Sequence, residues 1–346
     1  MIKVAISGAG AIAERAHIPA LRSVPAFEIV AIQSRTEDKA RALVERLWTD
    51  ASSRPRTYSD YERMLASERP DAVCVFNPNH LHCDYSLKAI AAGAHVLCEK
   101  PLAPTFAEAR RMVQATERAK RVMVVAMQRR HGGLETAVKR AITSGAIGRP
   151  LYIRARLAHG GPESWAPGQK WFTSPSEAGG GAALDLGVHI ADLAIFLIGE
   201  VDSVTGRVAN LAGGREVDDT AIAILGFKSG AMGVLEPSWA ARPMLSALEI
   251  YGAGGRIMLG YPGQDIAIVG VDGKPAPGFS REEILAGYNP RDLLAPFRLL
   301  AQNFADAIEG RAAANPDGRD GLRAVEVIEA CYRSSQSGAT VRLPLS

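Results

Sequence analysis

Short β-branched runs alternate with amphipathic stretches through the first third of the chain. Residues 3–7, 27–34, 72–77, 95–99 and 122–127 read as strands, and residues 11–24, 36–47, 82–92 and 105–118 read as the helices between them. Switching between a two-residue and a 3.6-residue period in this way is the mark of βαβ units, in which crossover helices cover a parallel sheet. Five such strands predict a Rossmann-like, doubly wound domain over residues 1–127.

After Met127 the rhythm changes. Gly145 and Gly148-Arg149-Pro150 lead into period-two segments at 151–158, 203–208, 220–227 and 231–236, which read as antiparallel strands divided by glycine-rich turns. Two helical patterns close the sequence at 291–309 and 321–335, and the Gly/Pro-rich stretch 261–279 reads as a surface loop. The expectation is a second, sheet-based domain over residues 128–346, with no internal repeat.

Composition narrows the class. The 346 residues are more than one core usually holds, which agrees with two domains. Apolar residues at 47% and charged residues at 22% give the balance of a globular rather than a disordered protein. A net charge of +3, without any basic run, argues against nucleic acid as a partner. Cys74, Cys83, Cys98 and Cys331 form no C-x-x-C pair, so neither a zinc site nor a disulfide scaffold is expected. No apolar segment approaches the ~20 residues of a membrane span, and the first apolar stretch is broken by Gly8, Gly10, Glu14 and Arg15. The reading is a soluble protein of the reducing cytoplasm, without membrane association.

Candidate chemistry begins at Gly8-Ala9-Gly10-Ala11-Ile12-Ala13, between the first strand and the first helix. Glycines there allow a tight turn and a close backbone approach to a pyrophosphate, and the helix N-terminus favours its charge. About 20 residues on, where a carboxylate would hold the ribose 2′-hydroxyl of NAD, the chain reads Gln33-Ser34-Arg35-Thr36. Ser34, Arg35 and Lys39 can instead receive a 2′-phosphate, which favours NADP and leaves NAD open, since Arg35 also suits a solvated helix start.

Glu99-Lys100-Pro101 ends a strand at the carboxyl edge of the parallel sheet, where ligands of such sheets bind. Further on, Gly179-Gly180-Gly181 precedes Asp185 and His189, four residues apart and so on one face of a helix. A carboxylate beside an imidazole suits proton abstraction from a hydroxyl, although a helix cap and an interior histidine would give the same spacing. His80 and His82 bring no third ligand with them, and no metal is expected.

Taken together, the G-x-G-x-x-A turn, Asn77-Pro78-Asn79 with His82, the segment from Ala92 to Pro101 and the Gly-Gly-Gly-x-x-x-Asp-x-Gly-x-His segment resemble the glucose-fructose oxidoreductase, inositol dehydrogenase and rhizopine-catabolism (Gfo/Idh/MocA) family. The resemblance runs nearly end to end. It implies a Rossmann domain followed by an α+β domain with a large open, mostly antiparallel sheet, often used for homodimer or homotetramer contacts. It also implies a nicotinamide-dependent oxidoreductase acting on a secondary alcohol or carbonyl of a sugar, cyclitol or related polyol. Carried over by motif position, Lys100, Asp185 and His189 would be catalytic. Gly8, Gly10, Ala11, Ile12, Ala13, Ser34, Arg35, Lys39, Asn77, Pro78, Asn79, His82, Glu99 and Lys100 would line the cofactor. Arg129, Arg130, Trp165 and Trp171 would join the catalytic residues around the substrate. Two alternatives share the fold: a dinucleotide-binding regulator without catalysis, and an enzyme that keeps its cofactor for redox-assisted glycoside cleavage or aldose interconversion.

Overall fold

The computed structural model describes residues 1–164, 166–261 and 264–346. The chain divides into two compact units, Met1–Gln128 with Leu293–Leu322, and Arg129–Asp292 with Arg323–Ser346.

The first unit is built on six parallel strands: β1 (Ile2–Ser7), β2 (Phe27–Gln33), β3 (Arg56–Tyr58), β4 (Ala72–Val75), β5 (His95–Cys98) and β6 (Met123–Val125). Their order is β3-β2-β1-β4-β5-β6. The order reverses between β1 and β4, so the loops leaving these two strands flank a topological switch point. Nearly every side chain of β1 and all of β4 are buried, as expected of strands covered on both faces. The sixth strand, β3, escaped the sequence reading because its three residues, Arg-Thr-Tyr, are largely polar and lie at the sheet edge.

Segment 293–322, read from the sequence with the second half, packs with the first unit instead. Within it the helix Ala295–Ile308 turns Leu300, Ala301, Phe304 and Ala305 inward, a 3.6-period stripe that joins the core around Phe27 and Ile32. The rings of Phe27 and Phe304 lie 5.9 Å apart.

The second unit contains an eight-stranded sheet of β7 (Pro150–Ala158), β8 (Val201–Ala209), β9 (Thr220–Phe227), β10 (Met232–Ser238), β11 (Leu245–Gly252), β12 (Gly255–Tyr261), β13 (Gln264–Gly270) and β14 (Val341–Arg342). The order is β13-β12-β11-β7-β10-β9-β8-β14. Every pairing is antiparallel except β7 with β10. Burial alternates along β9 and β10. One face therefore packs Ala221, Ala223, Leu225 and Leu235 inward, and the other carries Ile222, Ile224 and Met232 outward. The helix Gly187–Ile198, apolar on nearly all sides, lies against β7 and β10 and is almost wholly buried.

The stretch 261–279, expected as a surface loop, is not a loop throughout. Residues Gln264–Gly270 form β13, with Ile266 and Ile268 buried and paired to β12. The alternating run is real, but the glycines and prolines around it masked it. Among the described residues, no single helix is long and apolar enough to cross a membrane.

Candidate functional site

In the first unit the turn after β1 is fixed by sterics. Gly8 has φ +104°, and a Cβ there would sit 2.4 Å from the carbonyl oxygen of Phe76, so only glycine fits. Its N–H donates to Gln33 O at 2.9 Å, joining the ends of β1 and β2. A Cβ on Gly10 would meet no protein atom within 4 Å. The chain itself does not require that glycine, whereas close approach of a phosphate group does. Ala13 is buried beneath the turn, while Ala11 is half-buried and Ile12 exposed at the helix start.

At the end of β2, Ser34 is buried and its N–H donates to Tyr58 O. Arg35 and Lys39 are exposed, and Arg35 has no ion-pair or hydrogen-bond partner among the described residues. The Gln33 amide is held internally by Ser7 Oγ at 2.6 Å and Ser59 O at 2.9 Å. Residues 33–36 carry no carboxylate, and the next one along the chain, Glu37, accepts from the Thr57 hydroxyl at 3.1 Å.

Beyond β4, Asn77 Oδ1 is buried without a hydrogen-bond partner among the described residues. An orphan acceptor at the switch point fits a donor supplied from outside the chain, such as a ribose hydroxyl. Pro78 is half-buried and Asn79 buried beside it. His82, expected to line the cofactor, has both ring nitrogens 2.8 Å from backbone carbonyls, Nδ1 from Pro101 O and Nε2 from Asn77 O. It is fully buried and ties the Asn77 and Lys100 loops together. Burial outweighs the pull of the two carbonyls and of Glu99, and brings its pKa below the ordinary imidazole value.

Glu99 closes β5. Its Oε1 lies 2.7 Å from His17 Nε2, and its Oε2 accepts the N–H of Lys100 at 2.9 Å. Burial opposes its charge, but the bond to His17 and the neighbouring Lys100 prevail and hold the carboxyl below the usual range. Lys100 is half-buried, and the Lys100–Pro101 peptide is cis.

In the second unit, Asp185 and His189 do not share one unbroken helix as expected. Asp185 ends the short helix Ala182–Asp185, and His189 lies in the first turn of Gly187–Ile198. Across the break at Leu186 the helical path from Pro175 to Ile198 bends by 46°. The backbone stays near helical, with Leu186 N–H donating to Ala182 O at 3.0 Å and His189 N–H to Leu186 O at 3.2 Å. Both side chains are buried.

Two residues that the sequence reading missed anchor this segment. Asp218 accepts Gly181 N–H at 2.8 Å, Ala183 N–H at 2.7 Å and the Tyr332 hydroxyl at 2.6 Å, while its own carbonyl accepts Ala182 N–H at 3.0 Å. It is thus a remote cap on the start of the Ala182–Asp185 helix. A Cβ at Gly181 would sit 1.8 Å from Asp218 O, which explains the last glycine of the triplet. Trp239, at the end of β10, donates its indole N–H to Asp185 Oδ2 at 3.2 Å.

The expected substrate residues separate. Arg130 is buried and pairs in two-pronged fashion with Asp192, at 2.9 Å and 2.6 Å, so its charge serves the interior rather than an open pocket. Arg129 is half-buried, bonded to Ser246 Oγ and 3.4 Å from Glu135. Trp171 is half-buried, stacked on Phe172 at 3.7 Å, and donates to Gln169. Trp165 lies outside the described residues. Among the described residues no group of three or more His, Cys, Asp or Glu could hold a metal ion.

Comparison with known proteins matches residues 2–127 to a family described as "Oxidoreductase family, NAD-binding Rossmann fold". Residues 136–258 match the "GFO/IDH/MocA C-terminal domain". The chain is 28% identical over 340 residues to a 1,5-anhydro-D-fructose reductase of Ensifer adhaerens, covering 97% of both chains. It is 29% identical to D-glucoside 3-dehydrogenase of Escherichia coli (strain K12), over 69% of this chain and 70% of that one. Among solved structures it is similar to the WlbA dehydrogenase from Bordetella pertussis in complex with NADH and UDP-GlcNAcA. That likeness has a TM-score of 0.87 and 27% identity, covering 100% of this chain and 98% of the other.

Proposed function

The chain belongs to the Gfo/Idh/MocA family of NAD-binding oxidoreductases, and from that premise we propose that it interconverts a secondary alcohol and a carbonyl on a sugar, cyclitol or related polyol. The observation that carries this reading is the anchoring of Asp185 by Trp239 within a segment capped by Asp218. A buried carboxylate held by a residue outside its own helix, one turn before a buried histidine, is a prepared proton-transfer site.

The nicotinamide, when bound, supplies the hydride acceptor or donor. Gly8, Gly10, Ala11, Ile12 and Ala13 would hold the pyrophosphate, and Asn77, Pro78, Asn79, Glu99 and Lys100 the nicotinamide side. His189 takes the proton from the reacting hydroxyl, and Asp185 fixes that histidine or a neighbouring substrate hydroxyl. Lys100 stabilises the developing alkoxide by its charge. Arg129, Trp165 and Trp171 remain our candidates for contact with the sugar. Arg130 does not, given its buried pairing with Asp192.

The cofactor we favour is NADP. The relative crystallised with NADH is a different protein, and this chain offers the exposed Arg35 and Lys39 with Ser34, and no carboxylate, at the end of β2. We further assign the protein to the cytoplasm, in keeping with four free, buried cysteines. A homodimer or homotetramer would form through the outward face of the second-unit sheet, where Ile222, Ile224 and Met232 lie exposed near Tyr251. Sedimentation would report a monomer if that face is not an interface.

The deciding assay follows nicotinamide absorbance with NADP and NAD over a panel of myo-inositol, methyl D-glucoside, UDP-GlcNAcA and 1,5-anhydro-D-fructose, in the direction each allows. Turnover that disappears in Lys100→Ala and in His189→Ala, with cofactor affinity retained, supports the assignment. Tight cofactor binding without turnover on any member would make the chain a dinucleotide-binding regulator instead.

A further inference from the structure

The helical stretch 11–22 that follows the glycine turn is irregular. Its centre, Ala13–His17, is wound as a π-helix, with Ile18 N–H reaching back to Ala13 O, five residues away. Such single wide turns re-aim the side chains that follow them and occur often at functional sites. The side chain re-aimed here is His17, which is 2% exposed and stands outside every motif quoted above.

Its surroundings are specific. The imidazole stacks on Phe76 at 4.0 Å and 17°, and meets the edge of Phe297 at 5.1 Å. Phe76 is the residue before Asn77, and its carbonyl is the atom that leaves no room for a side chain at Gly8. On its other side, His17 Nε2 contacts Glu99 Oε1 at 2.7 Å, while the second oxygen of Glu99 receives the N–H of Lys100. One ring therefore touches the three structures that converge on the switch point: the helix after the glycine turn, the end of β4 and the end of β5.

We propose that His17 is a positioning residue that acts through Glu99 to set the backbone direction at Lys100, and hence the reach of its ammonium group. Glu99 has two oxygens and two partners; with His17 gone, one oxygen is left buried and unbonded, and the carboxylate is free to rotate away from the Lys100 N–H. The ammonium lies at the end of a flexible four-carbon stem, so a small change of backbone direction is amplified at its tip. A displacement of about 1 Å in a charge-stabilising group costs on the order of 100-fold in rate.

This inference rests on the assignment of Lys100 as the alkoxide-stabilising group, and the test separates the two. His17→Phe keeps a ring against Phe76 and removes the contact to Glu99; His17→Gln offers a donor without the ring. Steady-state kinetics on the panel substrate with the fastest turnover would be paired with fluorescence titration of NADPH and a thermal melt. We expect His17→Phe to lower kcat by roughly 10- to 100-fold, with NADPH Kd changed by less than about threefold and the fold retained, and His17→Gln to recover much of the loss. Should the Phe variant not fold, His17→Asn, polar but too short to reach Glu99, replaces it in the same comparison.

Full kcat in a folded His17→Phe protein, with Lys100→Ala inactive, overturns the positioning role alone. A rate loss matched by an equal loss of NADPH affinity also overturns it, because the ring would then serve cofactor binding. Full activity in Lys100→Ala overturns the reading of Lys100, and the positioning role with it.

Discussion

The indole N–H of Trp239 donates to Oδ2 of Asp185 across 3.2 Å, between two buried side chains 54 residues apart in sequence. Replacement by phenylalanine keeps most of the ring volume and leaves the carboxylate oxygen without this donor. The expected outcome for Trp239→Phe is a loss of about 1–3 kcal/mol in stability and a roughly tenfold or greater fall in kcat. NADPH affinity should be unaffected. Denaturant titration and steady-state kinetics on the same preparation check both parts, and an unchanged kcat would show that Asp185 needs no such support.

Asp218 accepts only from donors: two backbone N–H groups through its carboxylate and the Tyr332 hydroxyl. In Asp218→Asn, one of those donors would face the amide NH2 of the new side chain. The structure predicts destabilisation of about 1–3 kcal/mol, with Tyr332→Phe milder at about 1 kcal/mol. Chemical denaturation of both single variants and of the double variant measures this. Because the two residues share a bond, the double variant should lose less than the sum of the singles.

His82 gives a pH signature. Its pKa is lowered by burial, despite the carbonyls of Pro101 and Asn77. The unfolded imidazole therefore takes up a proton at a higher pH than the folded one. The stabilising contribution is complete above the ordinary imidazole value near ~6.5 and is lost as pH falls from there through the folded pKa. Glu99, also lowered, adds a loss with the same sign at more acid pH, below the ordinary carboxylate range. Melting temperature against pH should therefore drop in two stages, and His82→Gln should shrink the upper one, to which His95, also lowered by burial, adds a part of the same sign. A flat wild-type profile between neutrality and the carboxylate range would contradict this account of His82.

In the reading we propose, cofactor choice turns on the end of β2. Arg35→Asp would put a carboxylate beside the adenosine ribose, repelling a 2′-phosphate and offering an acceptor to a 2′-hydroxyl. We expect NADP affinity to fall by about 10- to 100-fold and NAD affinity to hold or rise, as measured by fluorescence titration of both reduced cofactors. Equal effects on the two would mean that Arg35 does not contact the 2′ position.

What the sequence disclosed and what it hid divide along physical lines. The parallel strands, the glycine turn and the Glu99-Lys100-Pro101 strand end were legible because each is a local pattern of a few residues. β3 was hidden because three mostly polar residues at an edge carry no hydrophobic period, and β13 because its alternating run is framed by loop-forming residues. The anchoring contacts were out of reach for a different reason. Trp239 with Asp185, His17 with Glu99 and Arg130 with Asp192 join residues 54, 82 and 62 positions apart, and no periodicity records such pairings. Arg129 and Arg130 illustrate the limit: adjacent and chemically identical, they differ in burial, and only the second meets a buried carboxylate.

The order of the strands carries a consequence for how the chain is made. β7, at residues 150–158, finds its two neighbours only in β10 and β11, so the middle of its sheet stays open until residue 252 has been synthesised. The first unit waits longer still, because Phe304 and its helix stripe, which fill the core beside Phe27, come after strands β7 to β13 in the chain. A nascent chain released early would expose an unpaired β7 and an open apolar groove together, the kind of surface that chaperones engage. Ribosome-bound intermediates stalled before residue 293 should therefore resist proteolysis far less than chains carried past residue 322.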